Sequence, residues 1–534
     1  MPLSRRSFLS AVGSAGGYGA AFSAMQALGL LATAEASPLP ALPGDHGKGR
    51  RIVIIGAGAA GLTSAWELRK AGYDVLVLEA NGRVGGRAWA ARPGTEIRFM
   101  DGTVQRCDWQ PGQWFNMGPA RIPSIHRNLL GYCSELKVPL EVEINASRSA
   151  LMQAPELNGG KPVTQRRVVF DTKGYIAELL TKAIDGHALD QALTREDVEK
   201  LRALLVEFGQ LDPAGKYSGG DRGGFAVNRG AGPATSKFYD PLALHELLAA
   251  DLTKGEFYED HIDWQATMFQ PVGGMDQIWF AFQRALGPIV RTNAPVQEIS
   301  NTARGVRVAY KEGGVTKLID ADACICTIPV SQIKKMPGNL SPATKAAAAS
   351  IPIGANYKIA WQSPRFWETD TNIYGGISFL KREIDLVWYP SYGLFSPTGV
   401  LLSGFGMEGT PGEAELNAFG KLPTAEKFAL SRKSVDILHP GRGKLLEKPI
   451  FMSWRQIPYF EGGIAANMTG PGEGQGELRP AYTALNAPDG NVWFAGDYLS
   501  RIVGWQEGAI LSGHRAIAEI TGKLPASSKP LKAA

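Results

Sequence analysis

From Arg51 onward the chain sets short apolar runs against a helical apolar period. Ile52 to Ile55 is a continuous apolar run of strand length, Leu62, Ala65 and Leu68 recur at helical spacing until Ala71-Gly72, and Val75 to Leu78 is a second apolar run. Continuous apolar strands are those buried on both faces, so this strand, helix and strand predict a parallel βαβ unit. Between about Asp171 and Asp260 the period becomes helical. Thr194-Arg195-Glu196-Asp197 reads as a capping box, Val198, Leu201, Leu205 and Phe208 share one face, and Gly209 fits the helix end. A glycine-rich loop, Asp212 to Pro233, leads to another helix at about Pro241 to Leu252, and a further helix is expected near Gln277 to Leu286. Strands follow at Val306 to Tyr310 and Ala323 to Ile328. Ile351 to Met407 is β-rich, with Tyr357 to Trp361, Ile384 to Tyr389 and Val400 to Gly406 as strands of one expected sheet. A last buried strand, Val492 to Asp497, precedes a helix at Gly508 to Ile520.

The junction of the first strand and helix carries chemistry. Gly56-Ala57-Gly58-Ala59-Ala60-Gly61 follows the strand directly. Gly56 permits the tight turn, Gly58 lets a pyrophosphate approach the backbone, and Gly61 lets the helix pack closely on the strand. The phosphates would sit at the helix N-terminus, whose unpaired N–H groups favour negative charge. Glu79 ends the second strand, and an acid about twenty residues after the glycines accepts from a ribose 2′-hydroxyl and disfavours a 2′-phosphate. The dinucleotide is therefore FAD or NAD, not NADP.

At 534 residues the chain suggests two or three domains, and its net charge of +5, with basic and acidic residues intermixed, speaks against nucleic acid. Cys107, Cys133, Cys324 and Cys326 lack metal or CxxC spacing and read as buried free thiols. No nucleophilic triad, metal cluster or carboxylate pair stands out, and the scattered histidines, His126 and His245 among them, read as structural. At the N-terminus, Ser4-Arg5-Arg6-Ser7-Phe8-Leu9, an Ala/Gly-rich stretch and Ala34-Glu35-Ala36 resemble a twin-arginine export signal, with the mature chain expected from Ser37. A membrane anchor is the alternative, made poor by its glycines, serines and Gln26. Ser37 to Gly49 reads as a flexible leader.

Asn81-Gly82-Arg83-Val84-Gly85-Gly86-Arg87 resembles the second fingerprint of the flavin amine oxidase family, and Phe494-Ala495-Gly496-Asp497-Tyr498 with Gly504-Trp505 resembles its C-terminal one. Within that family the chain is most similar to L-amino acid oxidases. The resemblance implies an α/β (α+β) fold in which a Rossmann-like FAD-binding domain (48–104, 265–345 and 480–524) interleaves with a β-rich substrate domain (105–165 and 350–479) and a helical insertion (166–264), after a signal peptide at 1–36. It implies FAD as cofactor, held by Gly56, Gly58, Ala59, Ala60, Gly61, Glu79, Ala80, Arg87, Gly118, Arg121, Val296, Gly496, Asp497, Gly504 and Trp505. Gly118-Pro119-Ala120-Arg121-Ile122-Pro123 looks like the segment whose arginine holds the substrate carboxylate, a task suited to a guanidinium fork. Lys358 matches the lysine that holds a water at the flavin, and Trp388, Gly504 and Trp505 match positions flanking the substrate. Where many of these oxidases carry a second carboxylate-binding tyrosine, this chain has Gly404, which leaves Arg121 less help or moves the role to Tyr389, Tyr392 or another group.

The implied activity is oxidative deamination of L-amino acids, with apolar or aromatic side chains, to keto acid, ammonia and hydrogen peroxide. The partners implied are the amino acid, dioxygen and the twin-arginine machinery, with a periplasmic or secreted location; a homodimer is left open. Rival readings are an oxidase or dehydrogenase of carboxylate-free amines, which has no use for Arg121, a decarboxylating amino acid monooxygenase, and a non-catalytic FAD-binding protein.

Overall fold

The computed structural model describes residues 42–188, 193–406, 413–465 and 478–524. The expected signal peptide, the first residues of the leader and Met407 lie outside them.

Strand β1 (Arg51–Ile55) runs into helix α1 (Ala59–Lys70) and then β2 (Asp74–Leu78). Helix α2 (Asp276–Leu286), β3 (Val290–Arg291), β4 (Ala323–Cys326), β5 (Val492–Phe494) and helix α3 (Gln506–Lys523) complete the unit. The strands form one parallel sheet in the order β3-β2-β1-β4-β5, with Ile52 opposite Val75 and Ala323. The period of two along each strand divides the sheet's side chains between two cores. Ile52, Ile54, Val75, Val77 and Ile325 pack under α1, α2 and α3 through Leu62, Leu68, Trp279, Phe282, Ile510 and Ile517. Val53, Ile55, Leu78, Cys324, Cys326 and Phe494 face the other way. There Ile299, Val306 and Val308 of an antiparallel meander, Val296–Thr302, Gly305–Glu312 and Val315–Ala321, close the layer. Each buried Leu, Ile or Phe contributes about 1.5–3 kcal/mol, so both faces of the cofactor-binding sheet are firmly covered.

A second, mostly antiparallel sheet has the strand order Val163–Thr164, Leu151–Gln153, Gly376–Leu380, Leu386–Tyr389, Thr398–Gly406, Tyr357–Pro364 and Glu447–Ser453. A small sheet joins the segments bearing the expected site: Met268–Pro271 lies between Ile122–Pro123 and Leu140–Glu143, with Met268 opposite both Pro123 and Glu143. Arg121, immediately before Ile122–Pro123, and Glu143, at the end of Leu140–Glu143, are thereby brought to the two sides of Met268–Pro271.

The fold is α/β with an interleaved FAD-binding unit, a β-rich sheet and a helical insertion, as expected. Several local expectations change. The Thr194 capping box forms with Asp197, yet Gly209 is the last helical residue of Arg195–Gly209 and Gln210 takes the left-handed conformation. Gly209 serves packing: a Cβ there would lie 2.3 Å from Ala177 Cβ on the neighbouring helix Gln165–Asp185. Phe208, expected on the buried face, is exposed. The glycine-rich loop contains a hairpin, Phe225–Val227 with Lys237–Phe238, and the helix expected from Pro241 begins at Leu244 and ends at Ala250. Leader residues from Leu42 onward fold back on the end of α1, with Gly47 N–H donating to Ala71 O and His46 Nδ1 3.1 Å from Tyr73 Oη. All four cysteines are buried free thiols.

Candidate active site

A cavity of about 460 Å³ runs from the glycine turn across the edge of the parallel sheet to the second sheet. Gly56, Gly58, Ala59, Ala60, Glu79, Ala80, Arg87, Gly118, Arg121, Val296, Lys358, Trp388, Gly496, Asp497, Gly504 and Trp505 all line it. Gly61 does not line it, because a Cβ there would fall 2.0 Å from Gly56 O, behind the turn. Gly58 is the opposite case: a Cβ would meet only Gly86 Cα, at 3.9 Å, so the turn is open toward the cavity.

That opening fits a dinucleotide. Gly58 caps α1 without a side-chain hydrogen bond, leaving the first-turn N–H groups to a ligand. Glu79 is fixed at the sheet end, Oε2 accepting from Ala57 N–H at 2.8 Å and Oε1 from Asn81 N–H at 2.8 Å. Its negative charge disfavours a ribose phosphate. The second fingerprint folds against the first, with Gly85 N–H donating to Ala57 O. Arg83 is stacked 4.0 Å from the Trp89 ring centroid, and burial lowers its pKa to about 10. Gly118 passes so close that a Cβ would lie 1.9 Å from Arg87 O. At the far wall Arg87 is paired with Asp497, whose Oδ2 accepts from Gly504 N–H at 3.1 Å; Gly504 has φ +84°.

At the other end of the cavity the buried Arg121 donates from Nη1 to Asn145 Oδ1 and to Tyr258 Oη, the latter at 2.7 Å. Its guanidinium lies 4.6 Å from the Trp388 ring centroid, 5.9 Å from Trp264 and 6.0 Å from Trp505. Lys358 is buried in Tyr357–Pro364 and donates from Nζ to Asn116 O at 3.0 Å and Gly118 O at 2.6 Å. Burial, and then the charge of Arg121, lowers its pKa to about 7. Lys358 is therefore a wall residue of the cavity and not a surface lysine.

Gly404 is not at the cavity; it has φ +132° and a Cβ would meet Ile359 Cβ at 3.3 Å. Neither tyrosine suggested as its substitute reaches Arg121. Tyr389 Oη is bound to Ser378 and His439, and Tyr392 Oη donates to Trp114 O. Tyr258 is the hydroxyl that contacts Arg121, a residue the sequence reading had not singled out. His261, Asp263 and Trp264 also line the cavity from the short turns after Tyr258. His126 is buried with Nε2 3.0 Å from Asp263 Oδ1 and its ring edge against Trp505. The density of aromatic and acidic residues from Phe257 to Trp264 was the available signal.

The model of the flavin containing amine oxidoreductase family matches residues 59–521. The chain belongs to this family. It is accordingly a flavin-dependent oxidoreductase, and its cofactor is FAD. Among flavin amine oxidoreductases it is 26% identical over 498 residues to an L-amino-acid oxidase of Notechis scutatus scutatus, covering 90% of this chain and 88% of the relative. It is likewise 26% identical over 505 residues to an L-amino-acid oxidase of Demansia vestigiata, covering 90% and 88%. Among solved structures, cyclohexylamine oxidase from Brevibacterium oxydans IH-35A aligns with TM-score 0.58 and 18% identity over 89% of this chain and 99% of its own. A putrescine oxidase bound to putrescine aligns with TM-score 0.58 and 19% identity over the same shares.

Proposed function

We propose that this enzyme oxidises L-amino acids: amino acid, dioxygen and water give keto acid, ammonia and hydrogen peroxide. The observation that carries the reading is Arg121, a buried guanidinium in the cavity wall that is held by neutral acceptors and ringed by tryptophans. Nη1 faces Asn145 and Tyr258, which leaves Nε and Nη2 as the edge for a substrate carboxylate. Trp388 and Trp505 then enclose an apolar or aromatic side chain and exclude water from the reacting carbon.

FAD, when bound, supplies the two-electron acceptor for the Cα hydride and is regenerated by dioxygen. The glycine turn and Glu79 would hold its adenosine and pyrophosphate, and Arg87, Asp497 and the N-terminal turn of α3 its remainder. Lys358, whose neutral and charged forms are both accessible near neutral pH, would hold a water beside the reacting groups. The protein's contribution is chiefly position and orientation. A peroxide-coupled screen of L- and D-amino acids and simple amines tests the reading: activity confined to amines, to D-amino acids or to Asp, Glu and Lys would overturn it.

The same reading includes export by the twin-arginine route, supported by Arg5-Arg6 and the small residues at Ala34 and Ala36. Replacing both arginines with lysine is expected to leave the enzyme in the cytoplasm; unchanged export would refute that route.

A further inference from the structure

Behind the wall formed by Lys358 and Trp388 lies a second cavity of about 50 Å³, which shares Ala120, Lys358 and Trp388 with the main one. A water needs roughly 10–15 Å³ of such space and two to four polar partners. Glu143 supplies an unusual one. It is 4% exposed, and its Oε1 accepts from Trp388 Nε1–H at 3.1 Å. Its Oε2 is buried and has no hydrogen-bond partner among the described residues. Buried carboxylate oxygens are rarely left this way, because water or a proton normally satisfies them. Lys358 lines the same cavity from Tyr357–Pro364 of the second sheet, which gives both a charged donor and a charged acceptor to one small space.

We propose that this side pocket holds water bridging Glu143 Oε2 to Lys358 Nζ, and that the two side chains form a proton relay serving the main cavity. The proposal rests on Lys358 having the place assigned to it above. In the step, an N–H bond of the Lys358 ammonium breaks, the bridging water accepts that proton and gives up another, and an O–H bond forms on Glu143 Oε2. The pair passes from ammonium and carboxylate to amine and carboxylic acid. No electrons move and the total charge is unchanged, so a buried site can accommodate either form. Return of the proton reverses the step. Burial pushes Glu143 up to about 7 and Lys358 down to about 7, which brings the two forms close together. Arg121 and the Trp388 N–H both oppose the rise of Glu143; Glu141, on the same strand, is bound to Gln270, and Tyr392, which lines the pocket, has its hydroxyl bound to Trp114 O. Glu143 acts through Lys358 and is a positioning residue.

The test uses the full-length FAD-loaded protein and Glu143→Gln, which keeps an acceptor for Trp388 Nε1–H. An infrared titration between about pH 5 and pH 9 is expected to show the carbonyl band of a protonated carboxyl with an inflection near neutrality. The band should be absent in Glu143→Gln, retained in Trp388→Phe, and shifted upward by about one pH unit in Lys358→Met, where a neighbouring cation is gone. Reoxidation of the chemically reduced enzyme by dioxygen should slow at least about tenfold in Glu143→Gln and lose its neutral inflection, and the substitution should add nothing in the Lys358→Met background. An unaltered band in Glu143→Gln, or equal slowing in both backgrounds, overturns the relay and leaves Glu143 as an anchor for Trp388. A wild-type enzyme that dioxygen cannot reoxidise refutes the oxidase reading instead, and the infrared titration still decides the relay. If Glu143→Gln does not retain FAD, Lys358→Met decides alone, an unmoved inflection overturning the proposal.

Discussion

Replacing Arg121 with methionine removes the fork while keeping an unbranched side chain of similar length. Two effects of different reach follow from the geometry. The guanidinium contact with the Trp388 ring, at 4.6 Å, is lost, and Asn145 Oδ1 and Tyr258 Oη lose their donor. A cation–π contact of this kind is worth about 0.5–2 kcal/mol. That loss affects the empty enzyme and every substrate alike. The second effect falls only on substrates with a carboxylate. A charge-assisted hydrogen bond contributes about 1.5–3 kcal/mol, so at about 1.4 kcal/mol per decade kcat/KM should fall roughly tenfold to hundredfold on top of the common loss. L-Phenylalanine and phenethylamine differ only by the carboxylate, and peroxide release measures both. The wild-type enzyme should strongly prefer the acid, and Arg121→Met should lose most of that preference. Arg121→Lys should recover part of it, since an ammonium supplies charge without the planar fork. FAD content, read from flavin absorbance, must stay the same. Equal losses on both compounds would show that Arg121 supports the fold and does not bind substrate.

Two contrasts test the rest of the site. Gly58→Ala should give a folded, colourless protein, since the added Cβ meets only Gly86 Cα at 3.9 Å within the protein, whereas Gly61→Ala should impair folding because its Cβ falls 2.0 Å from Gly56 O; yellow Gly58→Ala protein with full FAD would refute the binding role. Lys358→Met should slow flavin reduction or reoxidation far more than it changes substrate affinity, and should raise Tm. A base with its pKa lowered from 10.5 to about 7 by burial destabilises the fold fully below pH 7 and not at all above 10.5, so the gain in Tm should be larger at pH 6 than at pH 10.

The first βαβ unit, its glycine turn and the second fingerprint were legible because each is local: a run, a period or a motif within some forty residues. The cavity wall was legible only where the family resemblance reached, at Arg121, Lys358, Trp388 and Trp505. What escaped depends on long-range pairing. Leu140-Glu141-Val142-Glu143 alternates like a strand with Val142 inside, yet Val142 is 55% exposed and Glu143 is 4% exposed. Pairing with Met268–Pro271 fixes that strand with Glu143 toward the side pocket. The period of two announces a strand but cannot say which face is buried when the buried face is polar. Tyr258 was hidden for the same reason: its contact with Arg121 spans 137 residues.

The electrostatics of Arg121 also separate amino acids from simple amines without any turnover. Among the described residues its hydrogen bonds go to an amide oxygen and a phenol, and no carboxylate is in ion-pair contact with it. Removing one partner of a buried charge pair is strongly destabilising, so a buried cation with no carboxylate in direct contact, Glu143 acting on it only from a distance, is normally avoided. Here ring faces, two neutral acceptors and the open cavity make it tolerable, and an anionic ligand would complete it. An amine without a carboxylate enters as a cation and is repelled by Arg121 without making the bond that a carboxylate would make. The expectation is that simple aromatic monocarboxylates such as benzoate bind the oxidised enzyme, perturb the flavin absorbance and compete with L-phenylalanine, while benzylamine does not. Arg121→Met should weaken benzoate by at least about tenfold and leave benzylamine unaffected or slightly better bound. If benzoate binds both proteins equally, the anion is recognised elsewhere, and the assignment of the substrate carboxylate to Arg121 fails with it.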